Sequence, residues 1–413
     1  MAIYKVTPVK KYSFKVDALS KFLDELLAAH RVLLLQGPVG PFFADLADWL
    51  ISKDVECFKV NFNAGDWRYY AARPNIWHYR AKADQFDQWL TDKIKENQID
   101  AIICFGDCRF YHKQAKLVSQ SLNKKFYVFE EGYIRPDYIT FEKNGVNNYS
   151  SFSQDFLSQS VVDKPKNKLT NSDNQYSLMV WSGFQYYLFW TLFFWLYPFY
   201  LHHRGYGPVM ECYYWLISAI RKIKNSLIEP PSFESLIVKQ DHNYFVFTLQ
   251  VHNDSQVRIH SHYQDIRDCI TEVIDSFAVN AHPEHHLVFK HHPMDRGYRH
   301  YGRFIQRLAK KHGIEDRVHY FCDVHLPTLL KHSLGLVTIN STTGIQALYH
   351  HIPVKTLGQS LYDLPRLTAQ MDLDQFWQAP PKPDEDYFHL FRESLIQATQ
   401  LNGAYYGKHF WMK

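Results

Sequence analysis

The chain has 413 residues, 46% hydrophobic and 21% charged, with a net charge of +4 when histidine is counted as neutral. At ~100–200 residues per domain this allows two to four domains, two large ones being the simplest division. The composition excludes a disordered or collagen-like chain, and the near-balance of charge removes any global case for nucleic acid. Six cysteines (Cys57, Cys104, Cys108, Cys212, Cys269, Cys322) form no CxxC pair. Reduced cytoplasmic thiols fit that pattern better than a zinc ribbon or a disulfide framework. The first residues, MAIYKVTPVKKYSFKVDALS, lack the apolar core of a secretory signal.

Strand-like and helix-like segments alternate from the start. Leu19, Phe22, Leu23, Leu26 and Leu27 recur at helical spacing behind Asp17, a predicted N-cap. RVLLLQG reads as a short buried strand, PFFADLADWLISK as a helix and VECFKVNF as a second strand. Phe86 to Ile94 is then helical, AIICFG a strand, Tyr111 to Leu122 a helix and KFYVFEEG a strand. Continuous apolar strands separated by helices predict a parallel sheet covered on both faces, a Rossmann-like domain over 1–150.

Between Ser150 and Glu229 the alternation stops. The polar run DKPKNKLTNSDNQ reads as a loop, and Asn174 to His203 contains no Asp, Glu, Lys or Arg. VWSGFQYYLFWTLFFWLYPFYL is long enough to cross a ~30 Å hydrocarbon core, but its Trp and Tyr content suits the membrane–water interface better. Three states stay open: docking at the interface, burial between domains, and a true span. Arg204, Arg221, Lys222 and Lys224 would suit anionic lipid. Pro230-Pro231 predicts a fresh start, after which YFVFTLQ, HLVFK, RVHYF, GLVTI and PVKTL alternate with helices over 231–413. Two doubly wound domains facing a cleft, with an aromatic helical insertion at 151–230, describe a GT-B-like α/β architecture, which alone carries no function.

Ligands in such sheets bind beyond the carboxyl ends of strands. In the first domain those positions hold Gly37 and Gly40, then Asp107 and Arg109, then Glu130, Glu131, Gly132 and Arg135. In the second they hold Gln250 and Asp254, then Lys290, His292 and Pro293, then Ser341, Thr342 and Gly344. Alternation along a strand sends Glu130 and Glu131 to opposite sides, and Glu131 is expected to face the cleft as base or nucleophile. Chance alone predicts about one His-Pro dipeptide from 23 His and 18 Pro. His282-Pro283 precedes a strand, whereas His292-Pro293 follows one, where His292 can donate to a phosphate and protonate a departing one, with Lys290 adding charge. Ser341 and Thr342 are expected to cap a helix and, if His292 sits on a neighbouring strand, to help hold an anion. No GxGxxG or Walker sequence follows any strand, so NAD and ATP are poorly supported. No metal constellation is expected; His260-x-His262 and His285-His286 read as surface or helix-end residues.

The acidic pair with glycine, the His-Pro dipeptide and the Ser/Thr pair resemble GT-B transferases that use CMP-activated acidic sugars. QGPVGPFF, FGDCRFYH, VFEEGYIRPDYIT, Gln250-xxx-Asp254, FKHHP and NSTTGIQAL are similar to capsule polysaccharide β-Kdo transferases of the KpsS/LipB type. The similarity covers most of the chain outside Ser150–Glu229, and EEGYIRPD is its most specific part. It implies transfer of Kdo from CMP-Kdo to a phosphatidylglycerol-type lipid, with retention and without metal or other cofactor. Glu131 and His292 would be catalytic. His292, Ser341 and Thr342 would hold the CMP phosphate, and Gln250 and Asp254 would contact the donor sugar or its supporting loop. The implied location is the cytoplasm, peripheral to the inner face of the cytoplasmic membrane, with anionic phospholipid and other capsule assembly proteins as partners. Two alternatives remain: a non-catalytic assembly or export factor that binds lipid-linked glycan, and a transferase using another nucleotide sugar.

Overall fold

The computed structural model describes residues 18–71, 73–152, 170–202 and 204–412. Asp17 and most of the polar run after Ser150 lie outside them. The first half contributes β1 (Arg31–Leu34), β2 (Glu56–Asn61), β3 (Ile76–His78), β4 (Ala101–Phe105), β5 (Lys125–Glu131) and β6 (Tyr138–Lys143). The second contributes β7 (Tyr244–Thr248), β8 (His286–Lys290), β9 (Val318–Phe321), β10 (Gly335–Thr338), β11 (Val354–Thr356) and finally β12 (Gln400–Asn402). One sheet runs β12-β6-β5-β4-β1-β2-β3 and the other β11-β10-β7-β8-β9. The second sheet is parallel throughout. The first is parallel from β3 to β5, but β6 and, at the edge beyond it, β12 are antiparallel strands that the sequence pattern did not reveal.

Burial explains the continuous apolar runs. All five residues of β7 are buried; Phe245 and Phe247 enter one core cluster while Tyr244 and Val246 enter the other. Alternating side chains thus supply both faces of a sheet sandwiched between helices.

The unit expected over 231–413 does not keep all of its residues. β12 pairs with β6, Tyr405 donates its hydroxyl to the Glu130 carbonyl at 2.7 Å, and Tyr406 donates to Val39 at 2.8 Å. The chain end therefore returns to the first sheet, covering an edge that would otherwise expose unpaired backbone groups.

The aromatic segment forms a helix, Tyr176–Leu192, followed by a longer one, Pro208–Lys239. Among the described residues no helix is long and apolar enough to cross a membrane. The first helix buries Ser182, Gly183, Tyr186, Tyr187 and Trp190. Tyr186 accepts from Asn63 at 2.6 Å, and Tyr69 donates to the Ser182 carbonyl at 2.8 Å. Its opposite side exposes Trp181, Phe184, Leu188 and Leu192. Trp190 is thus a core residue, unlike Trp195. Arg204 is not free for lipid: it lies 3.3 Å from the fully buried Glu211 and donates to the Tyr298 hydroxyl at 2.7 Å.

Pro230-Pro231 does not begin a new segment, because both lie inside the second helix. Each lacks an N–H and costs a helix ~3 kcal/mol. Tertiary bonds hold this part in place: the Glu229 carboxylate accepts the N–H groups of Cys322 and Asp323 at 2.8 and 2.7 Å, and Asn225 donates to Asp323 at 2.7 Å.

Candidate active site

Both sheets reverse strand order at one point, between β1 and β4 and between β7 and β10. Such switch points leave a crevice beyond the strand ends. A glutamine occupies each. After β1, the Gln36 side-chain oxygen accepts from Arg109 at 3.1 Å. After β7, Gln250 donates to Asn340 at 2.9 Å and to Asp254 at 3.1 Å, and accepts the Asn340 N–H at 3.1 Å. Gln250 has spent its amide on its neighbours. It braces Asp254, which also caps the Ser255–His260 helix by accepting from the Gln256 N–H; burial raises the Asp254 pKa.

A cavity of about 700 Å³ lies between the domains, lined by Tyr133 and Arg135 from the first and by Lys290, His292, Ser341 and Thr342 from the second. His292 Nδ1 accepts the Met294 N–H at 3.2 Å. In the neutral ring this leaves the proton on Nε2, as a donor. Burial foremost, then the Arg135 charge, pushes the His292 pKa down to about 4, so the ring is neutral until an anion arrives. His292 and Ser341 follow β8 and β10, which are not neighbours as expected, because β7 lies between them. The cavity reaches both.

Several of the expected site residues also bond or pack within the protein. Lys290 donates to the carbonyls of Cys322 and His291, and burial lowers its pKa. Ser341 accepts the Thr343 N–H at 3.2 Å, whereas the Thr342 side chain makes no cap bond. A Cβ on Gly344 would lie 2.3 Å from the Tyr362 hydroxyl, so packing against Tyr362 requires glycine here. Gly37 lies against the Phe43 ring, and Gly40, at φ +122°, against Ser182 and Tyr406. Gly132 is required because a Cβ there would strike the Tyr138 carbonyl at 2.0 Å. Asp107 is buried and accepts the Val146 N–H at 3.2 Å. Pro293 lines the cavity and opens the turn leading to buried Asp295.

The acidic pair separates in an unexpected way. Glu131 is half exposed, with its carboxylate 3.9 Å from Arg135. Glu130, expected to point away from the site, lies beside Gly106, whose added Cβ would meet its carboxylate. It also accepts the Glu131 N–H at 3.0 Å. Burial pushes the Glu130 pKa up to about 7, with the Glu131 charge adding and the Arg109 charge opposing. This end of the sheet faces the second domain: Gln256 donates to Cys108 at 3.5 Å, and Asn148 to Gln359 at 2.8 Å. A perturbed carboxyl at an interdomain strand end has the properties of an acid–base group.

A model of the capsule polysaccharide biosynthesis protein family matches residues 100–406. The chain belongs to that family. It is 42% identical to the capsule polysaccharide export protein KpsS of Escherichia coli over 93% of this chain and 99% of that one. It is 39% identical to the capsule polysaccharide modification protein LipB of Neisseria meningitidis serogroup A over 96% and 97% of the two chains. A solved structure, the β-Kdo 2,7 transferase KpsC of Thermosulfurimonas dismutans, aligns with 14% identity and a TM-score of 0.42 over 88% of this chain and 89% of that one.

In this family member the cavity also contains residues that sequence reasoning missed. Gln346, Tyr349, Phe388 and Arg392 line it, the last two from the Glu385–Thr399 helix. Their spacing is that of an ordinary amphipathic helix, so only its docking beside Tyr349 marks them. His252 lies 2.5 Å from buried Asp295 and ties the Gln250–Asp254 loop to the turn after His292. Among the described residues no group of three or more His, Cys, Asp or Glu is placed to hold a metal. His260 ends the Ser255–His260 helix, one of the two expected placements, and is buried near Asn148; His286 instead starts β8 and lies 2.9 Å from His319.

A second carboxyl beside the site is buried. Glu142 accepts from Tyr133 at 2.7 Å and from Ser150, and burial pushes its pKa up to about 8. An unfolded glutamate ionises near ~4.3. Above that pH the folded chain keeps a proton that the unfolded chain has released, so stability falls as pH rises towards about 8. Glu142→Gln should flatten this fall by ~1–3 kcal/mol between about pH 5 and about pH 8. Thermal melts at both pH values check it, and equal shifts at the two would contradict it.

Proposed function

We propose that the protein is a glycosyltransferase that moves Kdo from CMP-Kdo to a phosphatidylglycerol-type lipid, starting the linker of an exported capsular polysaccharide at the inner membrane face. One observation carries the donor reading. The cavity is lined by Arg135, Lys290, His291, His292, His325, His350 and Arg392, while its one acid, Asp323, is bonded to Arg296. A cleft lined by two guanidinium groups and several N–H donors, although Arg135 and Arg392 also meet Glu131 and Glu393, suits a donor with two anionic groups, a phosphate and a sugar carboxylate.

In this reading His292 donates its Nε2–H to the CMP phosphate and stabilises the negative charge that grows there as the bond from phosphate oxygen to Kdo breaks. The Thr342 hydroxyl is a second donor, and Ser341 shapes its loop. Gln250 holds Asp254 towards the sugar. Glu130 acts as the acid–base carboxyl, displacing Glu131, which pairs with Arg135 at the rim. Retention and independence of metal follow from the resemblance alone.

Incubation with CMP-Kdo and lysophosphatidylglycerol, followed by mass spectrometry, tests the reading. The expected product is the lipid carrying one Kdo, with CMP released. CMP-Kdo binding without product would favour a non-catalytic assembly factor, and product only with another nucleotide sugar would replace the donor.

A further inference from the structure

The Pro208–Lys239 helix is built inside out. From Glu211 to Glu229 its hydrogen-bonding contacts with the protein are polar, whereas beyond Pro231 it turns Phe233, Leu236 and Ile237 into the second domain's core. Glu211 meets Arg204 and Tyr298, the Ser218 carbonyl accepts from Arg296 at 3.0 Å, and Arg221 donates to the Arg296 carbonyl at 2.5 Å. Asn225 and Glu229 bond to the residues after β9. The side facing out is apolar: Val209, Tyr213, Leu216, Ile220, Ile223 and Leu227 recur every four or three residues and are 54–74% exposed. A helix on a water-soluble surface turns its apolar stripe the other way.

This stripe continues across the preceding helix. Gly183 abuts the Trp215 ring, and the Lys222 ammonium sits 5.1 Å from the Tyr176 ring centre. The two helices therefore lie side by side in opposite directions, adding the exposed Trp181, Phe184, Leu188 and Leu192. Contiguous apolar surface on this scale marks an interaction face.

We propose that this two-helix face docks flat on an anionic lipid bilayer. Charge decides the occupant. Between Asn174 and Ile228 the only carboxylate is Glu211, which is buried, whereas Lys222 and Lys224 are exposed at the edge of the stripe. A second copy pairing through the stripe would bring lysines together without the opposite charges that normally flank such seams. Exposed Trp and Tyr suit headgroup depth. The 32-residue helix, about 48 Å long at 1.5 Å per residue, lies along the surface. Its inner side holds Arg296 and Tyr298, which follow His292-Pro293, so docking brings the cleft rim to the headgroups. The proposal rests on the lipid-acceptor reading for its purpose, and its test needs no substrate.

Flotation of the full chain with vesicles of phosphatidylglycerol and phosphatidylcholine is the experiment. The protein should float with mixed vesicles, at least ~10-fold less with phosphatidylcholine alone, and be partly released by salt. Leu216→Ser/Ile220→Ser/Ile223→Ser should reduce flotation at least ~10-fold while circular dichroism and the melting midpoint stay those of the parent chain, which reports the fold. Lys222→Glu/Lys224→Glu should abolish the preference for anionic vesicles. Undiminished flotation of the triple variant overturns the proposal. So does a parent chain that fails to float but forms a dimer that the triple variant breaks. Flotation without lipid glycosylation leaves the docking face standing and removes the transferase reading instead.

Discussion

Glu130→Gln is expected to lower transfer from CMP-Kdo at least ~100-fold, the usual consequence of losing an acid–base group. The amide is nearly isosteric, so the bond from the Glu131 N–H and the β5–β6 register should survive, and CMP affinity with them. The reason lies in the neighbours. Burial beside Gly106 and the charge of Glu131 hold the Glu130 proton to about pH 7, while Arg109 keeps the carboxylate accessible above that. In the parent enzyme kcat/KM should therefore lose or gain a limb near pH 7, according to whether the carboxylate or the acid is the working form, and that limb should vanish in the variant. Glu131→Gln, which loosens an exposed contact with Arg135, should cost under ~10-fold, in the range of a surface ion pair. Steady-state rates of both variants with one lipid acceptor decide between them. The reverse order would restore Glu131 as the catalytic carboxylate.

His292→Ala should weaken CMP binding and transfer together, because a phosphate ligand acts in both the ground and the transition state. Losing a charge-assisted hydrogen bond costs ~1.5–3 kcal/mol, about 10- to 150-fold. The free ring titrates at about 4, and a bound phosphate raises that value by favouring the charged form. CMP should therefore bind more tightly as pH falls through the raised value towards about 4, with proton uptake on binding. Calorimetry in buffers of different ionisation enthalpy measures that uptake. Unchanged affinity in the variant would remove His292 from the donor site.

Much of the scaffold was legible in the chain. The strand cores VLL, AIICF, YFVF and LVF are apolar without interruption because both of their faces are buried, and that condition shows directly in composition. The strand ends were legible for the same reason, since a polar or glycine residue after such a run marks where the chain leaves the core. The helix–strand alternation and the His292-Pro293 position needed nothing more. Strands β6 and β12 were not legible: YITFEK mixes polar with apolar residues, and QLN is a three-residue edge strand whose partner in β6 lies more than 250 residues earlier in the chain.

Roles at the site depended on neighbours that no local pattern encodes. Alternation correctly separates Glu130 from Glu131, but which of them is the more buried follows from the approach of Gly106 and Arg109, brought in by β4. Gly344 looks like a loop glycine of an anion site until Tyr362, eighteen residues later, takes the space of its side chain. Pro230-Pro231 ends a helix on local grounds, and only the bonds from Glu229 to the backbone after β9 explain how the helix continues. The sequence by itself determined two doubly wound sheets, their ligand-facing edges and an aromatic segment without charge. Tertiary structure alone decided which carboxyl is desolvated, which polar groups are spent on one another, and which side of the long helix faces outward. Periodicity records that a residue alternates; the direction it faces is set by packing between elements distant in the chain.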